Sequence, residues 1–501
     1  LEFEVLTEPA QLLQASPLMR RSMAIALLGA AQFGWLMSEM AHLPFNNKQL
    51  CAAPRTPAGQ CLLYPGHSNA EWNMQSSAWA VGGGLGALLS AYPADKFGRK
   101  RTLGYNGIVM IVGALVQMLA GDIYSFAIGR GISGVASGVA INVLNNYIRE
   151  IAPRQWRMFY FNIVQVVIGF TALCVTSIMY GIPKLPESDW SFKPLFGGPI
   201  FLGLFQLVFM NAIIESPVWL LQQNQVDAAR SAMDALYKAG DIDDHFASVA
   251  ASVGRQMDET KSSSSKMALL LSPKYRQQLS IALVLGTMQQ LSGLNALIVY
   301  GPTIFKNIGV RDLRLVNTFV NYGRTHNMIL AMAFGDRFHR RTLLVGASIV
   351  MSLAALGFTL CQVYPNDTTK YIIVVCTLFF VSSYSFSVGS MGWLISTELV
   401  PESLGATSGA LATACTWTAQ FFVGVYFQQL SSVDNWGTQA FAVFAVLIVT
   451  FALFAYYVVP ETRNSTSDEI TALLEMHKSD KDTPRDCTVL EARADGAEGT
   501  S

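Results

Sequence analysis

The chain has 501 residues, 51% of them hydrophobic and only 14% charged, with a formal net charge of zero and a mean hydropathy of +0.35. Soluble domains carry about 25% charged residues, so this composition excludes a soluble protein and indicates an integral membrane protein in a lipid bilayer. The balanced charge provides no basic surface that would predict nucleic acid as a partner.

Twelve apolar runs are long enough to cross a bilayer as helices, each of which needs about 20 residues. In chain order they cover 22–43, 72–93, 104–121, 125–148, 158–180, 197–215, 276–301, 313–335, 342–363, 371–394, 404–428 and 437–459. A long polar segment separates the first six runs from the last six. We therefore predict an all-α membrane protein with two six-helix bundles and a cytoplasmic helical linker, divided as 1–21, 22–215, 216–275, 276–459 and 460–501.

Lysine and arginine in the short loops predict the orientation, because such loops face the cytoplasm. They follow spans two, four and eight at Lys96, Arg99, Lys100, Arg101, Arg149, Arg154, Arg157, Arg337, Arg340 and Arg341. Both termini and the linker are therefore predicted to be cytoplasmic, with the plasma membrane as the expected location. Cys51 and Cys61 then lie in an exterior loop, where they could form a disulfide or remain free thiols.

The linker itself shows two patterns. Residues 222–240 have the spacing of an amphipathic helix. Residues 258–266, DETKSSSSK, predict a flexible connection.

Two charged motifs occur once in each half of the chain. DKFGRKRT at 95–102 is echoed by DRFHRRT at 336–342, and Glu150-Ile-Ala-Pro153 by Glu398-Leu-Val-Pro401, at offsets of 241 and 248 residues. Parallel repeats of this kind are typical of rocking transporters, whose substrate lies at the interface of the two halves.

Charged residues in these motifs and the neighbouring loops predict a latch at the cytoplasmic ends of the spans. Opposite charges there could bridge neighbouring helices when the cytoplasmic side is closed and separate when it opens. The alternative is that the arginines only set the topology and extend toward water. The predicted latch residues are Asp95, Arg99, Arg130, Glu150, Arg157, Asp336, Arg340 and Glu398.

The stretch from Met288 to Ile304 places amides and hydroxyls inside an otherwise apolar run. At helical spacing, Gln289, Ser292 and Asn295 predict one polar stripe. Uncharged polar groups are kept in lipid only where they face other helices or a wet cavity, because an unpaired polar group in hydrocarbon is costly. The hydroxyls of a sugar would satisfy them; the alternative is that the amides hold helices together.

The chain resembles the sugar porters of the major facilitator superfamily, and within them the glucose-facilitator branch. The resemblance covers nearly the whole chain. It rests on QFG at 32–34, DKFGRK at 95–100, GRGISG at 129–134, YIREIAP at 147–153 with Arg157, Gln165, ESPVWLL at 215–221, QQLSGLNA at 289–296, DRFHRRTL at 336–343, Trp393, STELVP at 396–401, Trp417 and PETR at 460–463.

This resemblance implies transport of a hexose, with glucose expected, by alternating access of a monomer. In that family the residues at the positions of Gln165, Gln289, Gln290, Asn295 and Trp393 contact the sugar, and those at Tyr300 and Trp417 close or line the cavity. We expect no enzyme activity, cofactor or metal, because the six histidines lack ligand spacing and no nucleophile motif is present.

The sequence departs from the glucose-facilitator pattern at several places. The tenth span reads SVGSMGW at 387–393 where a proline-rich hinge is usual, and Ser385 stands for a glutamate. Arg324 stands for a cavity asparagine, and a charge inside a span marks a functional site by default. Arg149 replaces a usual glycine, whereas Leu404 and Gly405 replace an arginine near Glu398. We therefore expect an altered sugar site and a weaker second latch.

Two observations bear on how transport is driven. Proton-coupled members of the family carry an aspartate two residues after the FG of the first span, where this chain has Leu36, which favours facilitated diffusion. Glu39 keeps proton symport open as an alternative, because a carboxylate inside a span can carry a proton. Glu39 could pair with Arg324 or lie in water near the outer mouth. A sugar sensor that does not transport is a further alternative, although 464–501 lacks a signalling domain.

Overall fold

The computed structural model describes most of the chain. The described residues are 13–40, 64, 66–153, 156–181, 193–262, 266–297, 313–334, 337–364, 366–401, 404–430, 440–463 and 469–474. These ranges are helical apart from connecting turns and one small antiparallel sheet, in which β1 (Gln14–Ala15) pairs with β2 (Tyr237–Ala239).

The first half contains the helices of the first six predicted spans. They are α1 (Pro17–Ala26), α2 (Leu28–Glu39), α3 (Asn69–Leu119), α4 (Ile123–Ile151), α5 (Arg157–Gly181), α6 (Lys193–Phe196) and α7 (Gly198–Val208). The 51-residue α3 covers the second and third predicted spans. It is interrupted between them at Gly98, where the backbone φ is +88°. Ser68 and Asp122 cap the first turns of α3 and α4 with their side-chain oxygens.

Four short helices form the linker: α8 (Pro217–Gln222), α9 (Val226–Leu236), α10 (Ile242–Ser262) and α11 (Lys266–Leu270). The predicted amphipathic helix is shorter than 222–240, because α9 ends at Leu236 and Tyr237–Ala239 form β2. Helix α9 buries Ala229, Ala232, Met233 and Leu236 at helical spacing. The prediction of a flexible segment was wrong for 258–262, because α10 continues to Ser262.

The linker is attached to the first half by hydrogen bonds. The Tyr237 hydroxyl donates to the Ile151 carbonyl at 3.0 Å, and the Ser16 hydroxyl donates to the Ala235 carbonyl at 2.6 Å. The Trp219 indole also donates to the Asp95 carbonyl, at 2.8 Å.

The second half contains the helices of the last six predicted spans. They are α12 (Arg276–Leu291), α13 (Leu313–Phe334), α14 (Arg340–Val363), α15 (Asp367–Phe386), α16 (Val388–Glu398), α17 (Gly405–Leu430) and α18 (Phe441–Val458). Two spans are broken near the cavity described below. Helix α12 ends before Gly293, whose φ is +89°, and α15 and α16 are separated at Ser387, with φ −101° and ψ −108°.

In the described part of the chain, seven helices are long and apolar enough to cross a membrane, one of which holds two predicted spans. Large apolar side chains on their outer faces are exposed, among them Leu89, Phe201 and Leu353, as expected for a lipid-facing surface. The predicted fold of twelve spans in two six-helix bundles is confirmed. The domain limits stay predictions. The halves meet where α3 packs against α17 and α5 packs against α13.

Candidate functional site

A polar cavity lies between the two halves. Its described lining consists of Phe33, Met37, Ile141, Asn145, Val164, Gln165, Ile168, Gln289, Gln290, Asn295, Arg324, Tyr384, Trp393, Thr413, Thr416, Trp417 and Gln420. The structure therefore brings the five residues predicted to contact sugar to one place, together with Trp417 and Arg324. Their role in sugar binding stays a prediction.

The break after α12 shapes the amide side of the cavity. Gly293 adopts a left-handed backbone that L side chains rarely adopt, so the helix ends and restarts at 294–297. Asn295 is thereby brought close enough for its amide to donate to the Gln290 side-chain oxygen. The prediction of one continuous polar stripe was wrong for Ser292, which is fully buried and donates to the Gln289 carbonyl at 3.0 Å.

Two tryptophans supply the aromatic side of the cavity. Trp417 is buried and packs edge-on against Trp79, with ring centroids 4.7 Å apart, and against Phe33 at 5.6 Å. Trp393 is half-buried on α16. Flat aromatic faces beside paired amides provide apolar and hydrogen-bonding surface in one cavity.

Several polar atoms at the cavity are buried without a hydrogen-bond partner in the described structure. They are Gln289 Nε2, Thr413 Oγ1, and Arg324 Nε and Nη1. Buried polar groups are normally paired, so the protein alone leaves hydrogen-bonding groups of the lining unsatisfied.

Sequence reasoning missed five polar lining residues: Asn145, Tyr384, Thr413, Thr416 and Gln420. Three of them, Thr413, Thr416 and Gln420, recur at helical spacing on α17 with the predicted Trp417, a signal that could have identified them. Nothing comparable in the sequence marks Asn145 or Tyr384.

Glu39 and Arg130 form a buried ion pair. Arg130 Nη1 lies 2.7 Å from Glu39 Oε1 and also donates to the Leu36 carbonyl at 3.1 Å. The alternative that Glu39 lies in water was wrong, because its side chain is 0% exposed, and its partner is not Arg324.

The placement of Arg130 in the predicted latch was also wrong. Arg130 lies in the first turns of α4, at the opposite end of that helix from Glu150, because α4 runs from Ile123 to Ile151. Its guanidinium lies 5.3 Å from the ring centroid of Trp79, which contacts the cavity residue Trp417.

Arg99, Glu150, Arg340 and Glu398 mark what we term the charged-loop end of the molecule. In the first half, Arg99 pairs with Glu150 at 2.6 Å, and Asp95 pairs with Lys266 of the linker at 2.6 Å. The Glu215 carboxylate accepts from the backbone N–H groups of Arg99 and Lys100.

The second half repeats this arrangement. Arg340 pairs with Glu398, and the Glu461 carboxylate accepts from the backbone N–H groups of Arg340 and Arg341 at 3.2 and 3.1 Å. Arg340, Glu398 and Glu461 follow their first-half counterparts by 241, 248 and 246 residues. These ion pairs lie within each half and do not join the halves.

Arg149 joins the halves at the charged-loop end. Its Nη1 donates to the Thr397 carbonyl at 2.6 Å and to the Val400 carbonyl at 3.4 Å. A methyl group at position 405 would overlap its guanidinium, so Gly405 makes room for it. Arg149 and Gly405 both depart from the family pattern, and the missing side chain at 405 leaves the space that the arginine fills. Asn142 adds a second contact, donating to the Ala406 carbonyl at 3.4 Å.

Of the remaining predicted site residues, the structure describes one and leaves four outside the described ranges. Arg157 donates to the Ala152 carbonyl at 3.4 Å. Cys51, Cys61, Tyr300 and Asp336 lie outside the described residues.

Two repeated bundles around a shared polar cavity define a membrane transporter of the major facilitator type. The profile of the sugar (and other) transporter family matches residues 22–474, and the chain belongs to that family. Proteins of this family are transporters and not enzymes.

Two relatives and one solved structure illustrate the match. Facilitated glucose transporter member 1 of solute carrier family 2 from Gallus gallus is 29% identical over 410 residues, which cover 80% of this chain and 81% of that protein. H(+)/hexose cotransporter 1 from Parachlorella kessleri is 28% identical over 433 residues, covering 83% and 78%. The structure of the proton:xylose symporter XylE bound to 6-bromo-6-deoxy-D-glucose aligns with TM-score 0.79 and 21% identity, covering 92% and 100%.

Proposed function

We propose that the chain transports a hexose, with glucose as the expected sugar, by facilitated diffusion through alternating access. The central cavity is the observation that carries this proposal. Its amides offer donors and acceptors that match adjacent sugar hydroxyls, and its tryptophans offer flat faces to the C–H side of a ring. The chicken relative is a facilitated glucose transporter, which agrees with this function.

The closed charged-loop end supports the alternating-access step. Arg149 and Asn142 bind carbonyls of the opposite half there, so the halves must lose these bonds before the cavity can open at that end. A net hydrogen bond to a charged group contributes about 1.5–3 kcal/mol. That is comparable with the few kcal/mol that separate two interconverting states.

The position in the cell is part of the proposal. The charged-loop end carries the lysine and arginine loops, which supports the proposal that this end and both termini face the cytoplasm. The protein acts as a monomer, since one chain supplies both halves of the cavity. The plasma membrane is the proposed location.

Exchange of labelled sugar in liposomes tests the proposal. Vesicles preloaded with unlabelled glucose should accumulate labelled glucose transiently, and a pH gradient should not raise the final level above equilibrium. Gln289→Ala should weaken the apparent glucose affinity about tenfold, because it removes amide hydrogen bonds to the sugar. Gln32→Ala is the matched control, since Gln32 is a buried amide that bonds to Gln206 away from the cavity lining. Absence of exchange for every hexose would refute transport.

Proton-coupled hexose symport is the second candidate, favoured by the buried Glu39–Arg130 pair. A proton on Glu39 would remove its charge and weaken its bond to Arg130. Arg130 contacts Trp79, and Trp79 contacts Trp417 in the cavity, so a change at the pair could reach the sugar. The Parachlorella relative is a proton/hexose cotransporter, which supports keeping this candidate.

Glu39→Gln separates the two candidates. Under symport, an inward proton gradient drives wild-type accumulation above equilibrium, and the substitution abolishes accumulation while leaving exchange intact. Under facilitated diffusion, neither protein accumulates sugar. Glu71→Gln provides the control, because Glu71 is a surface carboxylate outside the cavity lining.

A further inference from the structure

Arg324 is the one charged side chain among the described residues that line the central cavity. It lies midway along α13 and is 5% exposed. Neighbours on the same face, Asn321, Thr325 and Met328, are buried, whereas Tyr322 is 57% exposed. The guanidinium therefore faces the interior of the protein and not the lipid.

The other buried arginines show how this fold treats a buried guanidinium. Five arginines are buried in the described part of the chain: Arg99, Arg130, Arg149, Arg324 and Arg340. Three of them have a carboxylate partner, and Arg149 donates to carbonyls at the end of α16. Arg324 differs, because no ion pair of the described residues includes it and its Nη1 as well as its Nε is buried without a hydrogen-bond partner, whereas in Arg99, Arg130 and Arg149 only Nε is.

Among the described residues that line the cavity, none supplies an anion to balance this charge. No aspartate or glutamate belongs to the described lining, and Glu39 is already paired with Arg130. An uncompensated buried charge is strongly unfavourable. A charged residue inside a span normally pairs or marks the path of a substrate. The described lining therefore leaves the charge of Arg324 open to a group on the transported molecule.

A carboxylate would balance the charge of the Arg324 guanidinium. The guanidinium presents parallel N–H donors that bind a carboxylate through two hydrogen bonds, which a single hydroxyl cannot accept in the same way. The amides of Gln165, Gln289, Gln290 and Asn295 line the same cavity and suit hydroxyls. A ring that bears both kinds of group would satisfy both parts of the lining.

We propose that the cavity takes a sugar acid of the hexuronate class, with its carboxylate on Arg324 and its hydroxyls on the amides. This inference rests on the proposed function, since it uses the same sugar cavity. It narrows the substrate from hexoses in general to hexoses oxidised to a carboxylate at the terminal carbon.

Separate exchange assays with labelled glucuronate and labelled glucose test the inference. In the wild type, glucuronate should bind about tenfold or more tightly than glucose, as expected for a charge-assisted hydrogen bond. Arg324→Asn should abolish this preference. Arg324→Lys should retain part of it, because the charge remains while the paired donors are lost. Gln165→Ala should weaken both sugars by similar factors.

The outcomes separate this inference from the proposed function. Exchange of glucose without exchange of or competition by glucuronate overturns the sugar acid and leaves hexose transport standing. Competition by glucose 6-phosphate but not by glucuronate also overturns the sugar-acid proposal, because Arg324 would then bind an anion other than a carboxylate. Exchange of neither glucuronate nor any hexose refutes the proposed function itself.

Thermal unfolding in detergent gives a readout that does not depend on transport. Glucuronate should raise the Tm of the wild type more than glucose does, and this difference should vanish in Arg324→Asn. Without ligand, Arg324→Asn should unfold at a higher temperature than the wild type, because it removes an uncompensated buried charge. An unliganded Tm below that of the wild type, with equal shifts from both sugars, would show that Arg324 is only structural.

Discussion

Arg149 and Gly405 make the contact that closes the charged-loop end between the halves. The guanidinium occupies the space that a side chain at 405 would fill, and it satisfies carbonyls at the end of α16. A cation is favourable at that position, because the carbonyl end of a helix carries partial negative charge. The two residues act as one unit, although 256 positions separate them in the sequence.

Arg149→Ala should favour opening at this end. Loss of a charged hydrogen bond of about 1.5–3 kcal/mol shifts a two-state equilibrium about tenfold or more. Both proteins in this comparison also carry Asn145→Cys, at a cavity position on α4. The measurement is the rate at which an impermeant thiol reagent, added from the cytoplasmic side, labels that cysteine. Arg230→Ala, on the exposed face of α9, should leave the rate unchanged. Equal rates with and without Arg149→Ala would argue against a gate at this contact.

At the scale of helices, interruptions shape the cavity. Helix α12 stops before Gly293, and α15 gives way to α16 at Ser387, so side chains on both sides of each break can line the cavity. The second break occurs without the proline-rich hinge of the family. The expected hinge position is therefore kept by a different sequence, SVGSMGW.

Gly293→Ala should damage the cavity through the backbone. The left-handed φ of +89° is strained for alanine, and the added methyl would collide with the Phe444 ring. We expect a loss of about 1–3 kcal/mol of stability and weaker hexose binding, because Asn295 would shift. Gly346→Ala is the control: this helical glycine has open space around it, so alanine should be neutral or stabilising by up to about 1 kcal/mol. Equal Tm values for the two variants would rule out the strain argument.

At the scale of the whole molecule, the two halves repeat one charged framework. Arg99 with Glu150 and Arg340 with Glu398 each connect helices within one half, while Arg149 and Asn142 connect the halves. The internal pairs can therefore keep each half rigid while the contacts between halves form and break. This division suits the rocking of two bodies around a fixed cavity.

Much of this organisation could be predicted from the sequence. Apolar runs and repeated motifs are properties of local sequence, so the twelve spans and the equivalent charged loops were found correctly. The amides at 289–295 were found because polarity in an apolar run stands out. The residues of α17 have the same helical period, but threonine is common in membrane helices and did not attract attention.

The rest depended on three-dimensional partners. Arg130 was assigned to the wrong end of its span, because a sequence gives the position of a charge along a helix only as well as the helix limits are known. Its partner Glu39 lies 91 residues away. The complementarity of Arg149 and Gly405 was also invisible, since each position was read as a separate departure from the family.

A reversible cross-link across the charged-loop end tests alternating access most directly. Asn142 and Ala406 touch across the halves. We would place cysteines at both positions in a protein whose seven native cysteines are replaced by serine. A protease site inserted at 263–265 reports the cross-link, because the cut halves stay joined only when it forms. Each single cysteine is a matched control.

Oxidation of the double-cysteine protein should stop hexose exchange in liposomes, and reduction should restore it, whereas both single-cysteine proteins should exchange sugar under either condition. Full exchange by a protein shown to be cross-linked would contradict the account, because sugar would then cross without opening the end of the cavity that Arg149 and Asn142 close.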